Sequence, residues 1–231
     1  MVFDQGLQAG ILLRRYKRFL AEVELPGGEV LTVHCPNSGS MQGCLAPGSP
    51  VMISRAANPA RKYPYTLEMI RVDSTWVGIN TGLTNRLVKE ALLAGRIEEI
   101  GPLTGIESEV KVSDHSRLDF LCRQGKKRLY LEVKNCTLAM EGWALFPDAV
   151  TARGTKHLQE LLALSRAGHG AAVLFCVQRA DAERFRPAAH IDPLYAETLR
   201  EVHRQGVLAL AYRAAVSPER IKIVEGLQVF L

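Results

Sequence analysis

The chain has 231 residues, with 29 Lys and Arg against 24 Asp and Glu, giving a formal net charge of +5 at pH 7. With 47% hydrophobic and 23% charged residues it has globular composition, which excludes disorder, collagen and coiled coil. No apolar run approaches the ~20 residues of a membrane helix, and the opening MVFDQGLQAGILLRR lacks the features of a secretory signal, so no membrane partner is expected.

Residues 1–83 read as all-β. Apolar-rich stretches at 11–25, 29–35, 50–54, 66–72 and 75–79 are separated by turn residues. These are Pro26-Gly27-Gly28, the polar loop Pro36-Asn37-Ser38-Gly39-Ser40, Asn58-Pro59 and Tyr63-Pro64. About five strands in so short a stretch predict a small closed or nearly closed barrel. An OB-like barrel binding nucleic acid is one version of it, and a scaffold without a ligand is the other. Arg14, Arg15, Lys17 and Arg18 form a basic cluster uninterrupted by acid, with Tyr16 and Phe19 interleaved.

The pattern changes at Thr81-Gly82. Thr84 or Asn85 can cap a helix running to about Ala94 and stopped by Gly95, with Leu87, Val88, Ala91 and Leu92 on its apolar face and Glu90 on the flank of that face. Strands are expected at about 108–112, 117–123 and 128–136, then a helix over about 150–167, a continuous apolar strand 171–177, a helix over about 193–205, a strand 207–212 and short strands to finish. Strands alternating with helices predict an α/β (α+β two-domain) chain, its second sheet covered on both faces, over residues 84–231. Cys35, Cys44, Cys122, Cys136 and Cys176 form no CxxC pair and read as reduced thiols of a cytoplasmic protein. Cys35 and Cys44, beside His34, fit no zinc spacing and read as buried.

The segment RLDFLCRQGKKRLYLEVKNC, residues 117–136, carries the chemistry. Alternation places Leu118, Phe120 and Cys122 on one face of the first strand and Asp119 on the other; in the second strand Leu129, Leu131 and Val133 share the apolar face, and Tyr130, Glu132 and Lys134 the opposite one. Gly125-Lys126 suits a two-residue turn, which places Asp119 opposite Glu132. Directly opposed like charges are destabilising, so a compensating cation is expected there. Lys134 supplies part of that charge and a divalent metal the rest, Mg²⁺ or Mn²⁺ on Asp119 and Glu132, with Glu90 directly or through water. Such a site hydrolyses phosphodiesters; the alternative is an exposed hairpin with an ordinary ion pair. The helix TARGTKHLQELLAL places Arg153, Lys156, His157 and Glu160 on one face. Beside a metal site, Arg153 and Lys156 would grip phosphate and His157 relay a proton; otherwise the face is solvated. A second basic cluster, Arg123, Lys126, Lys127 and Arg128, adds to the case for a nucleic-acid partner.

The order helix-Glu90, strand-Asp119, strand-Glu132-x-Lys134, basic helix resembles the PD-(D/E)XK nuclease core, with Leu118 standing where that pattern has Pro. Over the whole chain, RRYKRFLAEVEL, VHCPNSGSMQGC, NTGLTNRLVKEAL, RLDFL, LYLEVKNCTL and FPDAVTARGTKHLQEL resemble the sugar fermentation stimulation protein family, SfsA. The resemblance implies an N-terminal OB-like β-barrel, a C-terminal restriction-endonuclease-like mixed sheet flanked by helices, and DNA binding without sequence specificity. It also implies a role in regulating sugar, especially maltose, metabolism, in a family without a generally assigned enzymatic activity. The nuclease-like residues correspond to Glu90, Asp119, Glu132 and Lys134, the basic segment to Arg14–Arg18, and the polar loop, with Asn37, Ser38 and Ser40, to residues 37–41.

Two compatible readings follow. The first is a DNA-binding protein gripping phosphate through Arg14, Arg15, Lys17, Arg18, Arg153 and Lys156. The second is a metal-dependent nuclease using Asp119, Glu132 and Lys134. A sequence-specific regulator lacks an exposed recognition helix, and the sequence leaves the oligomeric state open.

Overall fold

The computed structural model describes residues 1–3, 6–58, 60–113 and 116–231; Pro59, half of the expected Asn58-Pro59 break, lies outside them. Six strands come first: β1 (Gln8–Tyr16), β2 (Leu20–Glu24), β3 (Val30–His34), β4 (Pro50–Arg55), β5 (Tyr65–Val72) and β6 (Thr75–Gly78). They lie in the order β3-β2-β1-β4-β5-β6, and a parallel contact of His34 with Thr66 joins β3 to β5 and closes the first five into a barrel. The stretch 11–25 becomes two strands because the chain reverses at Lys17 and Arg18, whose φ angles are 47° and 62°. Alternate residues point inward, so Leu12, Val23, Val33, Ile53, Leu67 and Val77 share one core.

A 3-10 turn (Thr81–Leu83), capped by the Asn80 side chain on Gly82 N–H, leads into α1 (Thr84–Leu93). Then follow β7 (Gly105–Ser113), β8 (Ser116–Gln124), β9 (Lys127–Cys136), β10 (Leu138–Met140), β11 (Trp143–Phe146), α2 (Ala152–Arg166), β12 (Gly170–Val177), β13 (Arg184–Pro187), α3 (Pro193–Arg204), β14 (Leu208–Val216) and β15 (Ile221–Val229). These strands form a nine-stranded mixed sheet in the order β10-β11-β13-β15-β14-β12-β9-β8-β7. Its central strands β9, β12 and β14 are parallel, and residues 171–177 of β12 are buried throughout, as the continuous apolar run requires. α1 covers one face through Leu87, Val88, Ala91 and Leu92. α2 and α3 cover the other through Leu158, Leu161, Leu199 and Val202.

Two departures from the expected elements have simple causes. β10, β11 and β13, at three or four residues, are too short to show a period, and the chain ends on one nine-residue strand instead of several short ones. The first three residues pair with the second sheet, outside the barrel's ladder: Val2 bridges Arg220, and Ile221 N–H donates to Met1 O at 3.0 Å.

The barrel and the larger sheet are tied together at specific atoms. Gly78 N–H donates to Gln178 O at 2.9 Å, and Met41 N–H donates to Asp148 Oδ2 at 2.8 Å. The Ser40 hydroxyl donates to Asp148 O at 2.5 Å. Gly39 sits so close to Asp148 that a Cβ there would meet its carboxylate oxygens at 2.6 Å.

Candidate active site

The site is built where the β8–β9 hairpin opens. Gly125 takes a φ of 62° in the turn, and pairing runs from Gln124↔Lys127 to Phe120↔Leu131, as the two-residue turn predicts. Beyond that pair the strands part. β9 continues beside β12, with Glu132↔Val173 and Lys134↔Phe175, while β8 continues beside β7, with Leu118↔Val110. Asp119 and Glu132 are the next residues on either side of the opening.

Asp119 holds the opening in place of a ladder bond. Its Oδ2 accepts from Val133 N–H and its Oδ1 from the Asn85 amide, both at 2.7 Å. Because β8 follows β7 past Phe120, Leu118 joins Leu121 and Tyr130 on the α2–α3 side, instead of sharing a face with Phe120 and Cys122 as strict alternation predicts.

Glu132 and Lys134 share a face of β9, and α2 lays His157 against them. Glu132 Oε1 accepts from Lys134 Nζ at 2.7 Å and contacts His157 Nδ1. Arg153 Nε donates to His157 Nε2 at 3.4 Å, a pattern that leaves the imidazole proton on Nδ1, facing Glu132. The side chains of Glu132 and His157 are only 5% and 6% exposed, so His157 is packed, whereas Arg153 and Lys156 on the same side of α2 are solvated.

Burial and the neighbouring Glu132 charge push the Asp119 carboxyl up to about 6, although Val133 N–H, Asn85 and Lys134 oppose them. Burial also acts to raise Glu132, but its bonds to His157 and Lys134 outweigh it and hold that carboxyl below its ordinary value. A half-buried and a buried carboxylate of unlike proton affinity thus meet at one opening.

Glu90 does not join them. It pairs with the Met1 amine at 2.7 Å and Arg86 at 3.2 Å, and the amine's hydrogen bond holds its carboxyl below the ordinary value. Asn85 and Glu90 are five residues apart, about 140° around a helix, so α1 can present one of them to the opening but not both. Asn85 takes that place. Thr84 and Asn135 stand beside it: the Thr84 hydroxyl donates to Asn135 Oδ1 at 3.2 Å, and buried Gln178 donates to the same oxygen at 2.5 Å. None of Asn85, Asn135 or Gln178 is visible in the sequence reading, where an Asn at a helix start signals only a cap.

The opening faces a cleft of about 590 Å³ between the barrel and the larger sheet. Arg18, Asn37 and Ser38 line its barrel wall; Asn85, Asp119 and Lys134 line the other. The basic segment is largely committed elsewhere. Arg14 makes two 2.7 Å bonds to Glu22. Arg15 donates to the carbonyls of Arg18, Asn37, Gly39 and Ser40 at 2.7–3.1 Å, holding the polar loop. Arg18 reaches Ser38 O at 3.0 Å, and Lys17 is exposed. Asn37 is buried, its amide donating to Ile79 O at 3.1 Å. Arg14 lies over Tyr16 and Arg18 over Phe19, at 5.1 and 5.5 Å from the ring centres. On α2, Arg153 and Lys156 are exposed, with Lys156 3.8 Å from Glu160. The second basic cluster sits at the turn end of the hairpin, roughly 13–20 Å along the strand from Asp119, and Arg123 pairs there with Glu107.

Among the described residues no three His, Cys, Asp or Glu side chains converge as a metal-binding group. Asp119 and Glu132 remain as donors, and two carboxylates completed by water and phosphate oxygens suit Mg²⁺ or Mn²⁺. The residues therefore fit the ion, without Glu90.

Residues 82–220 match the family described as the sugar fermentation stimulation protein RE domain, and residues 13–79 the SfsA N-terminal OB domain. The sugar fermentation stimulation protein homolog of Desulfotalea psychrophila is 52% identical, over 97% of this chain and 95% of its own length. That of Pelobacter propionicus is 53% identical, over 97% and 98%. A solved structure of Pyrococcus furiosus SfsA in complex with Ca²⁺ is similar to this chain with a TM-score of 0.90 at 27% identity, covering 100% of this chain and 98% of that one. With both of its parts matched in order and half its residues shared with relatives of full length, the chain belongs to the sugar fermentation stimulation protein family.

Proposed function

We propose that this protein binds DNA with little regard to sequence and hydrolyses a phosphodiester at Asp119, Glu132 and Lys134, with Mg²⁺ or Mn²⁺ as cofactor. The observation that carries this reading is Asp119, half-buried, lining the cleft beside Lys134 and raised to about 6, with the buried Glu132 carboxylate close behind it. A module that only grips DNA gains nothing from acids that repel phosphate. The Ca²⁺ complex of the Pyrococcus relative supports a site for a divalent cation.

A bound cation would relieve the carboxylates' repulsion, polarise the phosphate and lower the pKa of a water. Val133 N–H and Asn85 orient Asp119, and His157 orients Glu132. Lys134 Nζ, held at Glu132, orients the attacking water and offsets charge on the phosphate. The water oxygen bonds to phosphorus as one ester P–O bond breaks, and the departing oxygen takes a proton. Arg153 and Lys156 grip phosphate from α2, while residues 1–83 supply the barrel wall of the cleft through Arg18, Asn37 and Ser38, with Lys17 and Ser40 as further contacts from the same two segments, and residues 84–231 the chemistry.

A second reading, binding without cleavage, is favoured by one detail: Glu132 Oε1 is already engaged by Lys134 and His157. The relatives are named for stimulation of sugar fermentation, and a role in regulating sugar metabolism would follow from DNA binding. A cytoplasmic location is supported by the cysteines, all five free and buried.

The test is incubation of the pure protein with labelled single-stranded, double-stranded and branched DNA, with Mg²⁺, Mn²⁺ or chelator, beside Asp119→Ala and Lys134→Ala. Metal-dependent cleavage lost in both variants is the expected result. Salt-sensitive binding without cleavage, unchanged in both, leaves the second reading. No binding at all removes both.

A further inference from the structure

The residue after Lys134 in β9 is Asn135, and both line the cleft into which Asp119 opens. Alternation turns Asn135 away from Glu132 and Lys134, to the α1 side of the strand, where it meets Thr84. Its amide oxygen is engaged there from two sides. The Thr84 hydroxyl donates to Oδ1 at 3.2 Å and Gln178 Nε2 at 2.5 Å, and the same Gln178 nitrogen reaches the Thr84 oxygen at 3.2 Å. Thr84 and Gln178 are both buried. Gln178 is held in turn by its backbone: its N–H donates to Cys136 O at 3.1 Å, and its carbonyl accepts from Gly78 N–H at 2.9 Å. Its side chain lies so close to Gly78 that a Cβ there would meet Oε1 at 2.5 Å. The last strand of the barrel thus presses a buried amide against Asn135 and fixes which way Asn135 faces.

An asparagine amide accepts at one end and donates at the other. With Oδ1 turned inward, the Nδ2 donors of half-buried Asn135 are left for the cleft, and none of the described residues accepts from them. We infer that Asn135 is a substrate contact: its amide donates to a non-bridging oxygen of a backbone phosphate in the cleft, beside the bond hydrolysed at Asp119 and Glu132. The inference rests on the DNA-binding reading above and adds a neutral, oriented donor to that reading's cations. Phosphate is the acceptor that fits, because its oxygens recur at every nucleotide while base edges differ, and asparagine is a common donor to the backbone. Lys134 and Asn135 then act from opposite faces of one strand, the first as a charge and the second as a fixed dipole.

Affinity and its salt dependence separate this contact from a cationic one. Binding of the full chain to labelled duplexes of unrelated sequence is followed by fluorescence anisotropy across a salt series, with chelator present so that nothing is cleaved. Asn135→Ala is expected to weaken binding about tenfold on every sequence, as for a lost hydrogen bond to a charged group. The slope of log K against log salt stays at its wild-type value, because a neutral donor displaces no counterion, whereas loss of a lysine or arginine contact changes it by about 0.9. Asn135→Ala also leaves Thr84 and Gln178 without their acceptor, so its melting temperature falls. Thr84→Val separates the two effects: it breaks the same network, keeps the Asn135 amide, and is expected to lower the melting temperature with little change in affinity. Asn135→Asp retains the Oδ1 acceptor, so it folds even where alanine does not, and it sets an oxygen against the phosphate, so its binding falls further. Wild-type affinity in Asn135→Asp or Asn135→Ala, an equal loss in Thr84→Val, or a loss confined to one sequence overturns the inference and leaves the DNA-binding reading intact. A wild type without salt-sensitive binding overturns both.

Discussion

In the barrel, Arg15 is committed to structure: four backbone carbonyls accept from its guanidinium. In the larger sheet, Asp119 lines the cleft with buried Glu132 close behind it, and Glu132 has one lysine and one histidine as its partners. A planar fork that matches carbonyls orders a loop at little cost. Two carboxylates sharing a buried opening are held in tension, which a bound cation relieves. Both begin in the sequence as a charged cluster. The inventory of partners separates scaffold from site, and each contrast below removes one member of that inventory.

The largest effect belongs to Glu132. Glu132→Ala leaves Lys134 and His157, 13% and 6% exposed, without their shared acceptor. Breaking a buried pair from one side costs about 3–5 kcal/mol, read as a lower urea midpoint at an unchanged m-value. A loss under about 1 kcal/mol would mean that solvent already screens the network, and the supposed difference between the two regions would shrink accordingly. Next is Arg15→Ala, expected to lose about 2 kcal/mol as carbonyls around the polar loop lose their donor. Its neighbour Arg14, in an exposed pair with Glu22, makes the internal control: Arg14→Gln leaves the melting temperature where it was, so any change it causes in DNA binding is a change in contact.

The hairpin was legible because its signals are local. Gly125 sets the turn, the turn sets the register, and the period of two puts Glu132 and Lys134 on one face. Helix ends were legible for the same reason, with Gly95, Gly168 and Gly206 all at positive φ just past them. Glu90 was misplaced because a flank position on a helix faces two ways. What decides it is the Met1 amine, brought in by pairing with Ile221, 220 residues away. Arg15 looked like a DNA contact because backbone carbonyls carry no residue signature. Leu118 changed sides because the ladder ends one residue earlier than alternation assumes. In each case the missing information is a contact distant in sequence.

The smallest effect has the opposite sign and probes the tension directly. The Asp119 carboxyl titrates at about 6 in the folded chain against 3.8 ordinarily, burial being the first cause and Glu132 the second. Between those pH values the folded state holds the more protons, so stability falls as pH rises through the window and the deficit is complete above about 6. Asp119→Asn removes the charge. Its Oδ1 can still accept from Val133 N–H, and Asn85 need only flip its amide to accept from the new one. The variant should therefore be more stable than the wild type at pH 7, by about 1–2 kcal/mol, with the gap closing toward pH 4. Added Mg²⁺ or Mn²⁺ should raise the melting temperature of the wild type and not of the variant, because the ion stabilises only the chain that binds it. Parallel stability curves from pH 4 to 7, with Asp119→Asn the weaker throughout, would show that Asp119 serves only to close the hairpin. The two regions would then differ in composition and not in kind.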